Sequence, residues 1–121
     1  MASIFEATAG KLIGPTTGGT VTQATSKSTG VTLNAASGQI TMDDAALAAA
    51  AEVSFTVTNS EVASTDVVIV NHGSAGTAGS YLVQANSIAD GSFAITVANV
   101  SAGSLSEAIT LHYVALKGSD S

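Results

Sequence analysis

Residues 52–59 read EVSFTVTN. Val53, Phe55 and Val57 alternate with Ser54, Thr56 and Thr58, so an extended backbone presents one apolar face and one hydroxylated face. That period of two marks a strand with one side buried. The pattern returns in residues 92–99, where Phe93, Ile95 and Val97 point inward, and around Ile109, Leu111 and Tyr113 within residues 108–117. These repeats predict an all-β domain.

Working outward, residues 20–25 alternate around Val21, and residues 31–33 and 39–42 add short strands between small turn residues. Residues 67–70 are an unbroken β-branched run, Val67, Val68, Ile69 and Val70, the mark of a strand covered on both faces or lying centrally, and the best candidate for a central strand. Residues 80–86 form a further strand, and Asp90 with Gly91 make a hairpin turn before residue 92. In residues 108–117 the step from Tyr113 to Val114 and Leu116 predicts a bulge or a doubly buried strand end. Asp43 and Asp44 precede an alanine-rich run, residues 45–51, which predicts a short aspartate-capped helix or an irregular crossover.

The fold expected is therefore an all-β, antiparallel β-sandwich of jelly-roll or Greek-key-like connectivity, with at most one short helix. The chain of 121 residues fits one domain. Residues 1–19 read as an extended N-terminal arm carrying Ile4, Phe5, Leu12 and Ile13, broken by Pro15 and by Gly18 with Gly19. Residues 20–118 form the sandwich, and residues 119–121 a frayed tail. The motif S-F-x-[V/I]-T occurs at residues 54–58 and 92–96, too few copies for a solenoid. It suggests two equivalent strands in opposing sheets, or chance.

Apolar residues make up 45% of the chain, but much of this is Ala, and there are only three Phe and two Tyr. The core must be thin. Lys11, Lys27 and Lys117 are the only basic residues and the formal net charge is −6, which disfavours a nucleic-acid footprint or an anionic membrane surface. Charged residues are only 10% of the sequence, so hydroxyls and amides must supply the polar surface. No cysteine is present, so there is no disulfide framework or thiolate chemistry. Residues 1–10 lack the basic and apolar regions of a secretory signal, and no stretch reads as a membrane helix.

No catalytic, cofactor or metal site is expected. His112 lies on a strand face without a carboxylate nearby in sequence, and His72 stands at a strand end beside Gly73. The loop GSAGTAGS (residues 73–80) lacks the lysine and following helix of a phosphate loop. A triad of Ser74, His72 and Asp66 has no nucleophile-elbow spacing behind it. Asp43 and Asp44 lack the dense oxygen series of a calcium loop.

Three stretches, TSKSTGVTLNAASGQITM (residues 25–42), VSFTVTNSEVASTDVVIVNHGSAGTAGSYLVQAN (residues 53–86) and GSFAITVANVSAGSLSEAITLHYVALKG (residues 91–118), together resemble small phage and prophage virion proteins. The resemblance implies a capsid decoration, or cement, protein on the outer surface of a tailed-phage capsid. Its partner would be the major capsid protein, and it would be a homo-oligomer, with a trimer favoured over a dimer. Ile4, Phe5, Leu12 and Ile13 would then form the capsid contact. The alternative is a fibre or spike module that recognises a host glycan through loop 73–80. An enzyme is the least supported class, since no carboxylate pair can be placed in a cleft.

Overall fold

The computed structural model describes residues 18–118. Eight strands form two four-stranded sheets packed face to face. The first sheet runs β1 (Thr20–Thr22), β3 (Ser37–Thr41), β8 (Thr110–Leu116) and β5 (Val67–Ser74). The second runs β2 (Val31–Thr32), β4 (Glu52–Thr58), β7 (Ser92–Asn99) and β6 (Tyr81–Ala89). The sandwich was expected, but its strands are not all antiparallel. β1 pairs parallel with β3, and β2 parallel with β4. Both sheets are mixed. Because the chain changes sheet between β1 and β4, each short strand reaches its partner by a crossover, and no hairpin turn joins the two.

Alternation builds the core as predicted. Val57, Ile95, Val97 and Leu111 are fully buried, as are Ile40 and Ile109, and side chains from the two inner faces fill the space between sheets. The repeated motif has a structural meaning that differs from expectation. Its two copies are neighbours in one sheet. Phe55 pairs with Ile95 and Val57 with Phe93, while Ser54 meets Thr96 and Thr58 meets Ser92. Each phenylalanine thus lies opposite the branched residue of the other copy, an aromatic and β-branched pairing that stabilises adjacent strands. On the outer face Ser54 Oγ and Thr96 Oγ1 share a hydrogen bond of 2.7 Å.

β5 corrects a second expectation. The β-branched run is an edge strand, with Val67 55% and Ile69 45% exposed while Val70 is buried. Val, Ile and Thr suit any pleated surface, so an unbroken run does not distinguish a covered face from an open one. The bulge predicted in residues 108–117 lies instead on β5, between His72 and Ser74, and β8 keeps strict alternation. The His112 ring packs over Gly73, and a Cβ there would force that ring to move.

No helix forms over residues 45–51. Asp43 Oδ1 accepts the Ala45 N–H at 2.8 Å, as a cap would, but Leu47 turns into the core and bridges Leu105. Ala50 takes φ 62°. A seven-residue run gains little from helix nucleation, and burying Leu47 outweighs it.

At the ends, Gly19 is held in place, its carbonyl accepting the Gln39 N–H at 2.9 Å. Residues 1–17 and 119–121, including Ile4, Phe5, Leu12 and Ile13, lie outside the described residues. Gly118 is tied down. Its N–H donates to Asp66 Oδ1 at 3.2 Å, while Lys117 Nζ and the Ala63 N–H donate to Asp66 Oδ2, each at 2.9 Å.

The Asp66 carboxylate is 2% exposed, whereas Lys117 is 64% exposed. Burial alone pushes the Asp66 pKa up, but the donors from Ala63, Lys117 and Gly118 outweigh it and hold the pKa below its ordinary value. A carboxyl with a depressed folded pKa contributes stability above its unfolded value, about 3.9. That contribution disappears as pH falls through the folded value. Stability is therefore expected to drop below about pH 4 with an acid slope, and Asp66→Asn should be less stable at neutral pH with a flatter slope. Urea midpoints across that range test this. An unchanged acid slope in the variant would assign acid sensitivity to other carboxyls.

Candidate functional site

The loop that leaves β5 at Ser74 returns to the second sheet at Tyr81, and it bounds a groove where several chemistry-bearing side chains converge. Ala75, Gly76 and Gly79 take φ of 63°, 73° and 80°, a left-handed backbone that glycine adopts at least cost. The loop curls over a shallow groove of about 290 Å³, with His72 and Tyr81 at its rim. Their rings meet edge to face, centroids 5.4 Å apart at 85°, a favourable aromatic geometry. His72 Nε2 lies 2.6 Å from the Ala75 carbonyl. Because a carbonyl only accepts, Nε2 carries the proton.

Glu107, from the segment before β8, completes the cluster. Its Oε1 accepts the Thr77 N–H at 3.0 Å and the Tyr81 hydroxyl at 2.7 Å, and its Oε2 accepts the Thr77 hydroxyl at 2.8 Å. The Tyr81 hydroxyl, then the Thr77 donors, hold the Glu107 carboxyl below the usual carboxylate range. Burial, reinforced by Glu107, pushes the Tyr81 phenol up. The pair is thus an ionised acceptor and a protonated donor locked together. A carboxylate so stabilised is a weak proton acceptor near neutrality, and its role here is to fix the loop and the Tyr81 ring. The groove is lined by His72, Tyr81 and the small residues of the loop.

The other residues singled out in the sequence lie apart. His112 is exposed on the outer face of the first sheet, between Asn71 and Gln39 in register. Ser74 and Asp66 flank opposite ends of β5, so no triad forms with His72. Asp43 holds the Ala45 N–H, and its own N–H donates to Gln23 Oε1 at 2.9 Å. No group of three or more potential metal ligands occurs among the described residues. Among the same residues, no helix is long and apolar enough to cross a membrane. Glu107 and Thr77 were not singled out from the sequence, because they sit 30 residues apart in loops whose meeting depends on the sheet order.

A second surface feature is apolar. On the outer face of the first sheet Val67 pairs with Leu116 and Ile69 with Val114, and Val67, Ile69 and Leu116 are exposed. No protein-family model matches the chain, and neither a curated protein nor a solved structure matches it.

Proposed function

We propose that the chain is a non-enzymatic capsid decoration protein that binds the outside of a phage head as an oligomer and bridges capsid subunits. The observation that supports this reading is the exposed apolar surface of Val67, Ile69 and Leu116 on a sandwich poor in charge. Such a surface provides contact area, and exposed apolar patches mark interaction sites. Repeated contacts by linked copies become persistent even when each is weak. In this reading Ile4, Phe5, Leu12 and Ile13 face the major capsid protein.

The test is binding of purified full-length protein to undecorated phage heads, alongside a variant with those four residues changed to Ser. Saturable binding by the parent and its loss in the variant are expected. Failure of the parent to bind heads would overturn the reading. The groove beside His72 and Tyr81 favours a second one, a fibre or spike module taking a host glycan against the two rings. Attachment to host cells or glycans that His72→Ala abolishes would select it.

A further inference from the structure

The two flanks of the sandwich differ sharply in their strand edges. One flank ends in β1 and β2, three and two residues long, and strands so short offer little template for pairing. The other ends in β5 and β6, eight and nine residues long, which lie against each other across the two sheets. β5 is the edge continuous with the exposed apolar surface of Val67, Ile69 and Leu116. Residues 67–72 pair regularly with β8 on one side, contain no Pro, Lys or acid, and so lack the usual devices that keep edge strands apart. β6 is regular from Tyr81 to Asn86 and then shifts register before Ala89, with Ser87 at φ 54°, much as β5 shifts at Gly73.

The geometry points to a second copy of this chain as the occupant of the β5 edge, joined antiparallel about a twofold axis into one continuous eight-stranded sheet. Charge favours this occupant. The chain has a net charge of −6, yet neither β5 nor β6 contains a charged residue. The two strands themselves therefore bring no like charges together; the nearest acids, Asp66, Asp90 and Glu107, stand at or beyond their ends, and Asp66 is paired with Lys117. Symmetry also favours it. A twofold axis perpendicular to the sheet keeps both outer faces on the same side, so Val67, Ile69, Val114 and Leu116 of each copy join into one apolar surface. That is the isologous arrangement of a closed dimer. The six regular residues give an edge about 20 Å long, a contact at the small end of the range for specific interfaces, as suits a reversible dimer.

This inference concerns only the oligomer within the proposed function, and its test contains no capsid, so either can fail alone. Sedimentation of the full-length protein from micromolar to submillimolar concentration is expected to show a monomer–dimer equilibrium. Ile69→Lys, at a 45% exposed position, should lose the dimer while keeping the far-UV circular dichroism of the parent. Thr20→Lys, on the exposed opposite flank, should retain it. Amides of residues 67–72 should exchange more slowly as concentration rises. A monomer throughout, a dimer indifferent to Ile69→Lys, or β5 exchange independent of concentration would overturn the proposal. So would a monomeric parent that dimerises once Ile4, Phe5, Leu12 and Ile13 are changed to Ser, which would make residues 1–17 the occupant of the edge.

Discussion

Phe93→Ala is expected to lower the free energy of unfolding by about 3–5 kcal/mol, the cost typical of emptying a buried aromatic site. Phe93 is 1% exposed and stands opposite Val57, and its ring centroid is 5.5 Å from that of Tyr113. The chain contains only three Phe and two Tyr, so no neighbouring large ring can move in. Tyr113 itself is fixed. Its hydroxyl donates to the Ala35 carbonyl at 2.8 Å and accepts from Asn59 Nδ2 at 3.3 Å, and burial pushes its pKa up to about 12. A side chain pinned at its far end cannot collapse into the space left behind, which puts the cost toward the upper part of the range. Denaturant unfolding measures it, with Leu82→Ala as control. Leu82 is 61% exposed, and its truncation should change stability by no more than about 0.5 kcal/mol. A loss below about 1 kcal/mol for Phe93→Ala would mean that the two sheets close over the gap.

The elements that were legible in the sequence are those whose burial is decided locally. β4 and β7 each carry a complete alternation, and the Asp90 and Gly91 turn between β6 and β7 forms as read, with Gly91 at φ 86°. β1 and β2 are so short that their direction is set by partners, Gln39 to Thr41 for one and Val57 with Thr58 for the other. Nothing in Thr20–Thr22 or Val31–Thr32 could announce a parallel pairing. The β5 run failed for another reason. Its composition is the same whether the strand is central or at an edge, and Val67 and Ile69 are exposed because they lie on the outer face of the first sheet, which no further layer covers. The Glu107, Thr77 and Tyr81 cluster was illegible because a lone glutamate in a polar loop has no periodic signature. Asn59 and Asn99 were likewise hidden. They resemble turn residues in sequence, yet both are fully buried.

Asn99→Ala is expected to cost about 2–3 kcal/mol, because it removes the hydrogen bonds of a fully buried side chain to two carbonyls and to Ser101 at once. Asn99 Nδ2 donates to the carbonyls of Leu47 and Gly103, each at 2.8 Å, while Oδ1 accepts the Ser101 N–H at 2.9 Å and hydroxyl at 2.7 Å. Its backbone also exchanges bonds with Ala50 and Ala51. One side chain thus ties the end of β7 to the crossover that replaces the expected helix. Gly103 is exposed and water can take the place of the lost donor there. The Leu47 carbonyl, on a residue 6% exposed, keeps the Leu105 N–H at 3.0 Å and loses one of its two donors, while the Ser101 N–H loses its acceptor. Asn99→Asp should not rescue, since a carboxylate cannot donate to either carbonyl. Ser101→Ala, which removes only bonds near solvent, should cost under about 1 kcal/mol. The damage should also be local. The Leu47 and Leu105 amides, which bond each other's carbonyls at 2.8 and 3.0 Å, should show the first rise in hydrogen exchange, ahead of amides in β4 and β7. If those two amides keep their protection in Asn99→Ala, the crossover is held by Leu47 burial alone and the asparagine is not its anchor.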